Sequence, residues 1–311
     1  LSWKRQEATP LVNTDWEVAY DQFVLPVSKN ARGYRPDKVG NTTFTVDKAT
    51  GALNSLCLDG EELLGSPMTL SLFRPATDND NRDQMGAKLW RAAGLDALTQ
   101  KVVSLKESKT STTAQVDILN AKGEKVGDAT FAYTLNRDGS VKVRTTFQPD
   151  TTLVKSMARL GLTFEVEDAY DHITYLGRGE HETYIDRNQS GKIGIYETTP
   201  ERMFHYYVVP QSTGNRTDVR WMKLTDDAGK GCWVESDSPF QFSTIAFPDV
   251  MVEKARHINE LERNGKITVH LDAKQAGVGT ATCGPGVQSQ YLVPLTKQTF
   301  DFIIYPVKNR E

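Results

Sequence analysis

Alternation with a period of two constrains this chain more than any other feature. Residues 115–119 (QVDIL), 130–135 (TFAYTL) and 141–147 (VKVRTTF) alternate apolar and polar side chains. Successive side chains of a strand point to opposite faces, so the pattern predicts strands with one buried face. The last two segments flank 136–140 (NRDGS), a glycine-containing turn, and read as a hairpin. Further strands are predicted at 161–166, 173–176, 219–224, 231–235, 240–247, 267–271 and 299–305, with Asp59-Gly60 and Asn264-Gly265 as turn signals. Roughly fifteen or more strands, with no tandem repeat and no low-complexity linker, point to an all-β fold of stacked antiparallel sheets, an unusually large sandwich.

Little helix interrupts this pattern. Residues 83–94 predict one helix, with Met85, Leu89 and Ala92 or Ala93 on one face and Gly94 just past its end. A short second helix is predicted at 252–261. Residues 1–40 are less regular and rich in Asn, Arg, Pro and Lys, and read as a lead-in arm. Residues 41–311 read as the sandwich domain.

Composition narrows the function. A chain of 311 residues can bury a large core without a disulfide or metal staple. Lys plus Arg is 37 against 40 for Asp plus Glu, a net charge of −3. That balance argues against a nucleic-acid or anionic-membrane partner. No apolar run approaches the ~18–20 residues of a membrane span. The first seven residues are polar and carry no apolar core, so no signal peptide is expected there. These features leave the compartment open. Cys57, Cys232 and Cys283 are widely spaced, so neither a disulfide framework nor a zinc pair is expected, and burial is the default for each.

Three clusters carry polar chemistry. The densest is 176–187 (LGRGEHETYIDR). Here a strand is expected to end at Leu176, with two glycines hinging a charged loop. Glu180 and Glu182 are two apart, but nothing around them supplies the environment of an acid and a nucleophile, so no catalytic residue is assigned. His181 lies between two carboxylates, where an imidazole can titrate near neutrality. The second cluster, 73–81 (FRPATDNDN), offers Asx turns and a helix cap; it lacks the spacing of a calcium loop, and no metal ligand is assigned. The third, 272–286 (DAKQAGVGTATCGPG), has too many glycines for regular structure and forms a shaped loop that can approach a ligand closely.

Taken in chain order, the three motifs resemble the C-terminal domain, also called domain 5 or the small chain, of the lac-type β-galactosidases of glycoside hydrolase family 2. Residues 73–80 resemble the family's Arg-Ala-Pro-x-Asp-Asn-Asp. Residues 177–187 resemble its Gly-x-Gly-Pro-x-Glu-Asn-Tyr-Pro-Asp-Arg. Residues 277–285 resemble its Gly-x-Gly-Gly-Asp-x-Ser-Trp loop. Weaker matches at 44–56, 90–94 and 207–216 extend the likeness from about residue 15 to 307.

The resemblance implies a galactose-mutarotase-like β-supersandwich that belongs to a hydrolase of terminal β-galactosides. The family's catalytic glutamates, with its Mg and Na sites, lie in a TIM barrel that this chain lacks. No cofactor is therefore expected in this chain, and the chain alone is expected to be inactive. The implied partners are the rest of the β-galactosidase chain or a large subunit, a carbohydrate substrate, and further copies in a homo-oligomer. By the same resemblance Gly179, Glu180, His181 and Glu182 belong to a loop at the substrate rim. Thr282 and Cys283 belong to a loop on the aglycone side. Cys283 stands where the family has a Trp, in a loop one residue shorter. Glu180, Thr183 and Ile185 replace Pro, Asn and Pro. These departures imply an altered aglycone preference. Two rivals are a stand-alone carbohydrate-binding module, which needs an exposed aromatic platform, and a sugar epimerase on the same fold, which needs a His and a Glu converging in one cleft.

Overall fold

The computed structural model describes residues 1–23, 25, 36–37 and 40–308. By internal contacts the chain divides into two compact units, residues 1–35 and 36–311. In the first, β1 (Ser2–Lys4) and β2 (Glu17–Tyr20) form an antiparallel ribbon. The stretch read as an arm thus contains paired strands, and its positions 24, 26–35 and 38–39 lie outside the described residues.

The second unit opens with an antiparallel sheet of β3 (Thr42–Val46), β4 (Leu53–Leu58) and β5 (Glu61–Glu62). Asp59 and Gly60, both at positive φ, make the turn that joins the last two. The remaining strands form one sheet: β6 (Thr69–Ser71), β7 (Thr99–Glu107), β8 (Ser111–Leu119), β9 (Lys125–Leu135), β10 (Val141–Pro149), β11 (Arg159–Glu167), β12 (His172–Gly179), β13 (Lys192–Thr198), β14 (Arg216–Thr225), β15 (Gly231–Ile245), β16 (Lys266–Gln275) and β17 (Gln298–Val307). All the pairings are antiparallel, and the all-β class read from the alternation holds.

The sheet forks at β15. Gly231–Glu235 pair with β17, while Gln241–Ile245 pair with β16 along the same edge. From one arm the order runs β17-β10-β9-β8-β7, and from the other β16-β11-β6; β14-β12-β13 continue from the undivided edge. Residues 231–235 and 240–247 were expected as two strands. They form one, because Ser236, Asp237, Ser238 and Pro239 stay within the strand instead of turning it back. Opposite them β14 shifts register between Val219 and Trp221, and neither β16 nor β17 pairs with 236–239. Pro239, which has no N–H to give, is tolerated in such an unpaired stretch.

The fork folds the two arms around one core. Ile267, Val269 and Leu271 of β16 share a continuous apolar cluster with Val141, Val143 and Phe147 of β10 and with Phe302 and Ile304 of β17. Each such side chain, fully buried, stabilises the fold by about 1.5–3 kcal/mol before conformational entropy is counted.

Both helix predictions need correction. Instead of one helix over 83–94 there are two, α1 (Asp78–Arg82) and α2 (Ala87–Ala92). Thr77 caps the first in a reciprocal box with Asp80, so the helix starts early. Asp83 then turns its carboxylate to the N–H groups of Met85 and Val287, which breaks the run. Gly94 does follow α2 at φ +68°. After the short α3 (Pro200–Met203), the predicted 252–261 helix is α4 (Asp249–Lys254) and a separate 3-10 turn, Ile258–Glu260. Ala255 is extended between them.

Candidate functional site: two loops locked by Arg74 and Asp186

The three motifs, far apart in sequence, meet in space. Arg74 is fully buried and forms a two-pronged ion pair with Asp80, at 3.0 Å from Nε and 2.8 Å from Nη2. Its guanidinium also donates to the Gln275 side chain and to the carbonyls of Ala276 and Gly277. The guanidinium lies 5.7 Å from the centre of the Tyr184 ring. One side chain of the first motif therefore fixes the start of the 277–285 loop and touches the 177–187 segment. A planar, permanently charged fork suits this role better than Lys would.

Asp186 makes the direct link between the two loops. Its carboxylate accepts the N–H of Val278 at 3.0 Å and of Gly279 at 2.8 Å. Gly277 has to be glycine here, because a Cβ would sit 2.4 Å from Asp186 Oδ2. Asn79 ties the loop further: its Nδ2 donates to the Gly279 carbonyl and its Oδ1 accepts from Thr282.

The glycines of the 177–187 motif are not hinges. β12 continues through Gly177 to Gly179. A Cβ at Gly179 would meet Tyr175 Oη at 2.4 Å and the Tyr196 ring at 2.9 Å, so close packing is what requires glycine. The loop proper begins at Glu180. Arg178 holds its far end through the carbonyls of Asn188 and Gly191, and pairs with Asp218.

Glu180, His181 and Glu182 do line one cleft, of about 440 Å³, together with Arg202, His205 and Arg216. Gly179 lies buried at the end of its strand. Glu180 and His181 are exposed, and His181 Nε2 lies 2.8 Å from Ser190 Oγ. Glu182 is the anchored member. Tyr207 Oη donates to it at 2.6 Å, Thr213 Oγ1 at 2.9 Å and the Gly214 N–H at 3.0 Å, and Arg187 pairs with it. Burial pushes this carboxyl up, but the hydrogen bonds from Tyr207, Gly214 and Arg187 outweigh it and hold the group below its ordinary value. A carboxylate so fully engaged is a poor proton acceptor, and Glu182 serves to hold the loop. Burial and Glu182 together raise the Tyr207 hydroxyl, which therefore stays a donor.

On the second loop Thr282 and Cys283 are exposed, Thr282 pinned to Asn79 and Cys283 a free thiol at the surface. Burial as the default for cysteine holds for Cys232, but Cys57 is half-buried and Cys283 is exposed. Cys283 sits on a glycine-rich turn, where its own N–H and that of Gly284 both bond the Thr280 carbonyl, and this turn faces outward.

Sequence reasoning did not single out Tyr207, Thr213 or Arg216. They fall in the segment 207–216, whose only signal was its weaker likeness to the family.

The geometry weighs on both rivals. His205 shares the cleft with both glutamates, yet among the described residues its ring meets Tyr207, 4.3 Å away edge-on, and bonds neither carboxylate. His257 pairs with Glu260 on the exposed surface. Among the described residues the His–Glu couple of an epimerase is not assembled in this cleft. Trp221 and Trp233 stack at 4.1 Å, but Trp233 is 4 % exposed in a cluster with Ile303, Tyr305 and Val307, so they form no open sugar platform.

Comparison with known proteins identifies the family. The family model described as the beta galactosidase small chain matches residues 38–304. This chain belongs to that family. A β-galactosidase from Priestia megaterium is 30% identical over 301 residues, covering 90% of this chain and 28% of that protein. One from Kluyveromyces lactis is 29% identical over 273 residues, covering 83% of this chain and 26% of that protein. The chain thus spans little more than a quarter of the length of these curated relatives. Among solved structures, a GalM/aldose epimerase homologue from C. elegans superposes with a TM-score of 0.48 at 12% identity, over 87% of this chain and 97% of that one.

Proposed function

We propose that this chain is the non-catalytic C-terminal part of a β-galactosidase and lends two loops to the rim of an active site built by the rest of that protein. The observation that supports this best is the Asp186 bridge, which sets the 180–187 segment and the 277–285 loop in fixed relation. Rigid scaffolds that present loops at one place are where binding sites are built. In this reading Glu180, His181 and Glu182 border the substrate, the buried Gly179 backs them from the end of its strand, and Thr282 and Cys283 face the aglycone. No group of this chain transfers a proton or attacks the sugar. Glu182 keeps its lone pairs on its own donors, and the rim works by shaping the approach and excluding water.

The test is hydrolysis of a chromogenic β-galactoside by this chain alone, then after mixing with the preceding part of its polypeptide. Activity in the mixture only is the expected result. Turnover by this chain alone would sink the reading and return Glu180 and Glu182 as catalytic candidates. Silence in the mixture, with the two parts shown to associate and the undivided protein active, would also count against it.

A further inference from the structure

Buried cations in proteins are paired, because an unpaired charge out of water is costly. Among the described residues Arg74, Arg159 and Arg216 are almost wholly buried. Arg74 is matched by Asp80, and Arg159 faces Asp272 at 3.8 Å. Arg216, 2 % exposed, has no carboxylate within ion-pair distance among the described residues. Its Nε donates to Tyr175 Oη at 2.9 Å and its Nη1 to the carbonyls of Gly214 and Asn215. All three acceptors are neutral. Nη2 has no protein partner among the described residues, and the residue lines the cleft.

The surroundings favour negative charge further. Arg202, on the same cleft, has no side-chain partner among the described residues. The cleft's two carboxylates do not supply the missing charge. Glu182 is saturated by its four donors, Arg187 among them. Glu180 is exposed, makes no side-chain hydrogen bond among the described residues, and directly follows Gly179, which packs against the Tyr175 hydroxyl that holds Arg216. It is the chain's own competitor for the position.

We infer that the cleft is an oxyanion site, with Arg216 Nη2 at its floor and Arg202 at its wall, and that it takes the carboxylate or sulfate group of an acidic saccharide. The volume of about 440 Å³ suits a small ligand. A guanidinium with a free edge is the group best shaped for such an anion. As a claim about the glycoside cleaved, this rests on the rim reading above. As a claim about anion binding it does not, and it is tested without the rest of the polypeptide.

The experiment titrates this chain, near neutral pH and at low ionic strength, with galacturonate, with galactose as its neutral counterpart and with inorganic sulfate, following amide shifts by NMR. Galacturonate should saturate and bind at least about tenfold tighter than galactose, the margin by which a hydrogen bond to a charged group exceeds one to a neutral group. Arg202→Gln should weaken it several-fold, and Glu180→Gln should strengthen it by removing the competitor. Arg216→Lys keeps the charge but loses the fork and should abolish binding; a circular-dichroism melt shows whether that variant is folded. Equal affinity for galacturonate and galactose overturns the proposal. So does binding of sulfate or galacturonate that ignores both Arg202→Gln and Glu180→Gln, which is adventitious ion binding only. Absence of saturation by either anion overturns it as well.

Discussion

Asp186 accepts hydrogen bonds from two successive backbone N–H groups, those of Val278 and Gly279, 92 and 93 residues further along the chain. The two loops at the proposed rim are therefore tied directly to each other through one carboxylate. Asp186→Ala should cost about 1.5–3 kcal/mol, the usual worth of hydrogen bonds to a charged group. Hydrogen exchange should then speed up across 277–287 while β16 and β17 stay protected. Unchanged exchange in that loop would show that Asn79 and Arg74 suffice to hold it.

Arg74 and Asp80 form the buried pair beneath both loops. Arg74→Met strands Asp80 without its cation, and Asp80→Leu strands Arg74. Each single change should destabilise by about 3–5 kcal/mol in urea unfolding, and the double change by clearly less than the sum. Additive losses would mean that the pair is not coupled.

Acid should loosen the cleft through Glu182. Its folded-state value lies below the ordinary 4.5, so the stabilisation is fully present above 4.5 and is lost as pH falls through the lower folded value. The wild-type chain should lose stability across that acidic window more steeply than Glu182→Gln does. Parallel curves from thermal melts at several pH values would remove Glu182 from the account.

The three thiols should differ in reactivity in the native chain. Cys232 is buried, which pushes its thiol up to about 12, and it should react only on unfolding. Cys57 lies between Ser55 and Glu62 and is half-buried, so it should be slow. Cys283 is exposed and should react first with a disulfide reagent. On the proposed rim reading, Cys283→Trp in an active, longer protein should alter kcat/KM mainly between aglycones, and an unchanged aglycone preference would speak against that reading.

Gly179→Ala adds a methyl where Tyr175 Oη and the Tyr196 ring already stand. A forced shift in a packed site costs about 1–3 kcal/mol. The thermal midpoint should fall accordingly, and an unaltered midpoint would restore the hinge view of this glycine.

Much of the fold was legible in the sequence because a period of two survives wherever one strand face is buried. It failed where tertiary context overrode local signals. Ser236 to Pro239 carry turn residues, yet the strand runs through them because both flanks are anchored by different neighbours. Asp83 sits in a helical pattern, yet its carboxylate is claimed by Val287, which no local window contains. The site was legible as motifs through their likeness to a family. The bonds that join them were not, since Arg74 to Gly277 and Asp186 to Gly279 are contacts at long sequence separation.

The fork at β15 also sets a timetable for folding. β17 closes two free edges at once, that of β10 and that of the first half of β15. Until residues 298–307 have left the ribosome, both edges stand open, and an open strand edge invites pairing with another chain. Val141 must wait for Ile304, more than half the chain later. Contacts at that separation form slowly. The hazard of aggregation is thus concentrated in the interval before residues 298–307 arrive, when the nascent sheet is most in need of shielding.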